Sequence, residues 1–89
     1  MTKTTLTIIN KLGLHARAAA KLASTCARFS SNIHIDADGK KADGKSIMSL
    51  MLLAAAKGSE IELIVEGEDE QQATEAITQL INERFGEDE

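Results

Sequence analysis

A chain of 89 residues with 43% hydrophobic side chains can bury one small core, and its single cysteine excludes an internal disulfide. With no tryptophan or tyrosine and only two phenylalanines, that core falls to aliphatic residues and alanine. The stacking side chains that single-stranded nucleic acid requires are missing. The net charge of −4 hides an asymmetry: residues 1–57 carry nine Lys/Arg against three Asp/Glu, and residues 58–89 carry one arginine against eleven acids. Sparse cations around an anion site suit phosphoryl groups and acidic protein partners better than nucleic acid. No run is long and apolar enough for a signal peptide or a membrane span. With the lone thiol, this predicts a cytoplasmic protein in which Cys26 is a buried structural residue.

Alternation places a first strand over 3–9, with Leu6 and Ile8 on one side and Thr5 and Thr7 on the other. Residues 10–14 read as a loop in which Gly13 eases the turn. A helix is predicted over 16–29, where Ala19, Leu22, Ala23 and Cys26 recur at helical spacing. The second strand, 32–36, turns Ile33 and Ile35 to the core and His34 outward, exposed and without a role. Asp38-Gly39 predicts a hairpin into a short strand over 40–43. Ser46 opens a short helix to residue 54, with Leu50, Leu53 and Ala54 in the core and Gly58 at the C-terminal stop. Ile61, Leu63 and Val65 alternate with glutamates over 60–66, as in a half-exposed antiparallel strand. Asp69 begins the last helix, with Gln72 placed for a capping box and Ala73, Ala76, Ile77, Leu80 and Ile81 facing inward. Gly86 and the final acids are expected to fray. The order is βαββαβα. Strands with one polar face predict a single α+β domain, 1–89, with the helices on one side of an open sheet.

Chemistry concentrates where the first strand hands over to the first helix. His15 falls where backbone N–H groups lack internal partners and attract anions. Arg17 adds a fixed charge. By local physics alone this is an anion site with a titratable residue. A second pattern, Gly39 to Ser46, matches the phosphate-binding loop G-x-x-x-x-G-K-[ST]. It is set aside, because the hairpin strand uses the intervening residues and the chain has no room for a parallel nucleotide-binding sheet.

Asn10-Lys11-Leu12-Gly13-Leu14-His15-Ala16-Arg17, Gly44-Lys45-Ser46-Ile47-Met48 and Ala54-Ala55-Ala56-Lys57-Gly58 together resemble the HPr family. These are the histidine-containing phosphocarriers of the phosphoenolpyruvate-dependent sugar phosphotransferase system. The likeness runs from about residue 4 to residue 85. It implies an open-faced β-sandwich, a four-stranded antiparallel sheet with three helices on one face. It also implies His15 as phosphoacceptor through Nδ1, Arg17 as the site arginine and Ala16 as a nearby backbone N–H donor. Ser46 matches the serine that an HPr kinase/phosphorylase modifies. Ala20, Lys21, Ser24 and Ala27 of the first helix, with Ile47, Met48 and Met51 of the second, are the implied docking face for Enzyme I and IIA domains. The expectation is a monomeric carrier without metal or cofactor, a stoichiometric intermediate and not an enzyme. The competing reading is a regulatory carrier of a nitrogen-type or incomplete phosphotransferase chain, without sugar transport. One residue departs from the motif: Ala18 stands where the family usually has proline, which should change phosphohistidine stability only modestly.

Overall fold

The computed structural model describes residues 1–89. In chain order it contains β1 (Thr2–Thr7), α1 (Ala16–Ala27), β2 (Asn32–Ala37), β3 (Lys40–Asp43), α2 (Ile47–Leu52), β4 (Glu60–Glu66) and α3 (Glu70–Asn82), closed by a 3-10 turn (Arg84–Gly86). The alternating segments pair into one antiparallel sheet ordered β1-β4-β2-β3. Its register sets Leu6 opposite Ile61, Ile33 opposite Val65, and Ile35 between Leu63 and Ala42. These residues are buried on the inner face, which the three helices cover. Thr5, Glu62, Asp36 and Lys41 share a rung of the outer face. Leu22, Leu50, Ile77, Ile81 and Phe85 complete the core with no exposed surface. Each such side chain favours the folded state by roughly 1.5–3 kcal/mol. The fold class is therefore the open-faced α+β sandwich that the element order and the resemblance implied.

Several boundaries and contacts differ from the sequence reading. β1 begins at Thr2, and α1 stops at Ala27. α2 is shorter than predicted, ending at Leu52. Ala54 then adopts a left-handed backbone with φ 53°, reversing the chain so that Leu53 and Ala55 are both buried while Ala54 is exposed. Gly58, at φ 91°, shapes the approach to β4 instead of stopping the helix. There its N–H donates to the Ile8 carbonyl at 2.7 Å. The capping box at Asp69 does not form. The Asp69 carboxylate accepts from the N–H groups of Ser30 and Ser31 at 2.9 and 3.0 Å, and from the Ser31 hydroxyl, so it clamps the α1–β2 turn. His34 is half-buried on the outer sheet face, not fully exposed. The hairpin matches expectation: Asp38 and Gly39 both have positive φ, as a type I′ turn demands.

Candidate functional site

Gly13 fixes the loop beneath the histidine. Its φ is +66°, and a Cβ there would lie 2.5 Å from the Ala55 carbonyl oxygen. That close approach lets the Leu14 N–H donate to the same oxygen at 2.8 Å, tying the loop to the segment after α2. Asn10 is fully buried beneath it, and its Nδ2 donates to the Gly13 carbonyl at 2.8 Å. The chain thus enters α1 along one path.

His15 is the N-cap of α1, with an extended backbone at φ −82° and ψ −178°. Its carbonyl accepts the Ala19 N–H at 2.8 Å, which leaves the N–H groups of Ala16, Arg17 and Ala18 without backbone partners. The imidazole makes no capping bond, so it is available for other chemistry. Arg17 is exposed and forms no ion pair. Ala18, in the position of the usual proline, is fully buried.

The C-terminal segment, expected to fray, folds back over this site. Phe85 is buried. The Lys21 ammonium donates to the Phe85 carbonyl at 2.7 Å, and Lys11 donates its N–H to the Glu89 carbonyl at 2.7 Å. The Glu87 carboxylate bridges two site residues: Oε1 accepts from Asn10 Nδ2 at 3.0 Å, and Oε2 lies 2.5 Å from His15 Nε2. The hydrogen bond from Asn10 foremost, then the one from His15, holds this carboxyl below the ordinary range, and the Arg17 charge adds to the effect. Lys11, Arg17 and Lys21 face residues 86–89 across a cleft of about 420 Å³. Glu87 was not singled out in the sequence reading, and Asn10 appeared there only as part of the motif, without a contact role. Glu87 is 72 positions from His15, and no local pattern links them.

The remaining candidates fall on one helical layer. Lys21, Ser24 and Ala27 are exposed along α1 and Ala20 is half-buried, while Ile47, Met48 and Met51 are exposed on α2, which packs against α1. Leu12 and Leu52, at 66% and 68% exposure, extend the apolar surface beyond the residues expected. Ser46 is the N-cap of α2, its Oγ accepting the Ser49 N–H at 3.2 Å. The phosphate-loop pattern does not form a phosphate cradle. Gly39 sits in the hairpin turn, a Cβ on Gly44 would meet Ile33 at 2.7 Å, and Lys45 Nζ donates to the Phe29 carbonyl at 2.8 Å. Burial pushes the Cys26 thiol up to about 12, as befits a core residue and not a nucleophile.

An imidazole at a helix start, held through Nε2 by a carboxylate and set beside unpaired backbone N–H groups on an open-faced sandwich, is an arrangement that suits a small histidine phosphocarrier. The family model described as "PTS HPr component phosphorylation site" matches residues 2–83. The chain is 52% identical to the phosphocarrier protein HPr of Neisseria meningitidis serogroup A over 89 residues, all of both chains. Its fold is similar to the crystal structure of HPr from Thermoanaerobacter tengcongensis, with a TM-score of 0.96 and 44% identity over all of both chains. It also matches an HPr dimer from that organism, with a TM-score of 0.78 and 45% identity over 98% of this chain and 100% of the other. The chain belongs to the HPr family, the phosphocarriers of the phosphotransferase system. No helix is long and apolar enough to cross a membrane.

Proposed function

We propose that this carrier takes a phosphoryl group from phosphorylated Enzyme I on His15 Nδ1 and passes it to IIA domains, as a cytoplasmic monomer that is not itself an enzyme. One observation carries this reading: the His15 imidazole stands at the start of α1 free of capping duty, beside the unpaired Ala16 N–H and the unpaired Arg17 guanidinium. Those groups suit the phosphoryl oxygens, because N–H donors and one guanidinium hold an anion without enclosing it. The surface formed by exposed Lys21, Ser24, Ala27, Ile47, Met48 and Met51 with half-buried Ala20 is the docking face. Methionines adapt to several partners in turn, which a carrier between donor and acceptors requires.

Intact mass after incubation with phosphoenolpyruvate and Enzyme I tests the proposal. The expected result is one acid-labile phosphate on the wild type and none on His15→Ala. A folded wild type that stays unmodified beside an active Enzyme I would remove the reading. Ser46 supports a second, compatible role as substrate of an HPr kinase/phosphorylase, since this half-buried residue caps a helix start that accommodates phosphate. The added negative charge, close to two units, would repel an acidic partner from the adjoining docking face. ATP and such a kinase should add one acid-stable phosphate that Ser46→Ala abolishes.

A further inference from the structure

We infer that Glu87 is a positioning residue for phosphoryl transfer: by accepting the Nε2 proton of His15, it fixes the tautomer in which Nδ1 is the nucleophile. The inference rests on the carrier reading above and deepens it. A neutral imidazole carries one proton, and the hydrogen bond at one nitrogen decides which nitrogen keeps its lone pair. Glu87 Oε2 lies 2.5 Å from Nε2. An ionised carboxylate only accepts, so the ring must donate there. The Glu87 carboxyl is held ionised by its neighbours, as described above. Nδ1 is the nitrogen left over, and no protein group bonds it.

The carboxylate is itself held in place. Its other oxygen accepts from Asn10, a side chain with no exposed surface that also ties down the Gly13 carbonyl. The chain on either side of Glu87 is anchored by Lys21 to the Phe85 carbonyl and by Lys11 to the Glu89 carbonyl. Asn10, Glu87 and His15 thus form a relay from the core to the reacting ring. During transfer the Nδ1 lone pair attacks phosphorus. The N–P bond forms as the bond to the donor's leaving group breaks, and that electron pair departs with the donor. The Nε2 proton stays on the ring, where the Glu87 charge offsets the positive charge the imidazole gains. This geometry also blocks Nε2, so transfer is confined to one nitrogen.

Nitrogen chemical shifts of ¹⁵N-labelled histidine test this on unphosphorylated protein, at a pH where the imidazole is neutral. Wild type should give a single tautomer for His15, with the proton on Nε2, and Glu87→Ala should give a mixture. Phosphorylation by Enzyme I should slow by about tenfold in Glu87→Ala, the lower end of what the orienting partners of metal-bound histidines are worth, while the affinity for Enzyme I is unchanged. A wild-type proton on Nδ1, or identical shifts in wild type and Glu87→Ala, would overturn the inference. The amide spectrum of each protein verifies that it is folded. The shifts decide the tautomer even if wild type takes no phosphate, so failure of this inference and failure of the carrier reading are told apart.

Discussion

Ala18 stands where the motif of the family usually has proline, and its surroundings predict a modest effect of that departure. It is the third residue of α1, and its N–H has no backbone partner. Proline in a first helical turn removes a donor that the helix does not use. Ala18→Pro should therefore change the initial phosphorylation rate by less than about tenfold, or about 1.4 kcal/mol of barrier. A hundredfold change in a phosphorylation time course would mean the free N–H holds the phosphoryl group directly. Gly13 is the opposite case. An alanine there meets both a left-handed backbone and a carbonyl oxygen 2.5 Å from its Cβ. Gly13→Ala should lose at least about 1–3 kcal/mol, the cost of backbone strain of this kind, read as a lower urea midpoint. A midpoint equal to wild type would show that the 10–14 loop relaxes freely.

The elements show which information is local and which is not. The inward faces of β2 and β4 were legible because a period of two needs only five or six residues to declare itself. So was the type I′ hairpin, which two residues encode. The placement of His15 and Arg17 at the start of α1 was legible because they lie within one motif. The short α2 was not, since its end depends on Leu53 and Ala55 both finding the core. Nor was the Asp69 clamp, whose partner Ser31 is 38 positions away. Local pattern made Asp69 a helix cap, while long-range packing gave its carboxylate better donors. That clamp has a pH signature. Bonds from the Ser31 hydroxyl foremost, then from the Ser30 N–H, lower the Asp69 pKa from 3.8. A lowered folded pKa contributes stability that is complete above the unfolded value and is lost as pH falls through the folded one. Asp69→Asn should therefore melt below wild type at neutral pH. The gap should narrow as pH falls below the ordinary carboxylate range. A gap that persists undiminished in acid would assign the loss to packing.

At the scale of the whole molecule, folding rearranges the charge asymmetry of the chain. The acidic C-terminal stretch does not trail into solvent. Glu87 reaches His15, and Glu89 pairs with Lys11 at 3.2 Å, so part of the basic surface is answered from within. Arg17 and Arg28 remain without a carboxylate partner on the α1 side, where the exposed methionines of α2 also lie. A cationic patch around an apolar contact surface steers an acidic partner into encounter, and salt weakens that steering. The screening length shrinks from about 30 Å at 0.01 M to about 8 Å at 0.15 M ionic strength. The association rate with Enzyme I should fall over that range while the dissociation rate changes little, because rim charges act on approach more than on the formed complex. Asp88→Asn with Glu89→Gln removes two acids beside the cations and leaves the Glu87 contact intact. Stopped-flow association should then be faster at low salt and fall more steeply than wild type, with both converging at high salt. An equal salt slope for the two proteins would mean that the tail leaves the approach field unchanged, and that its acids act only on the histidine they cover.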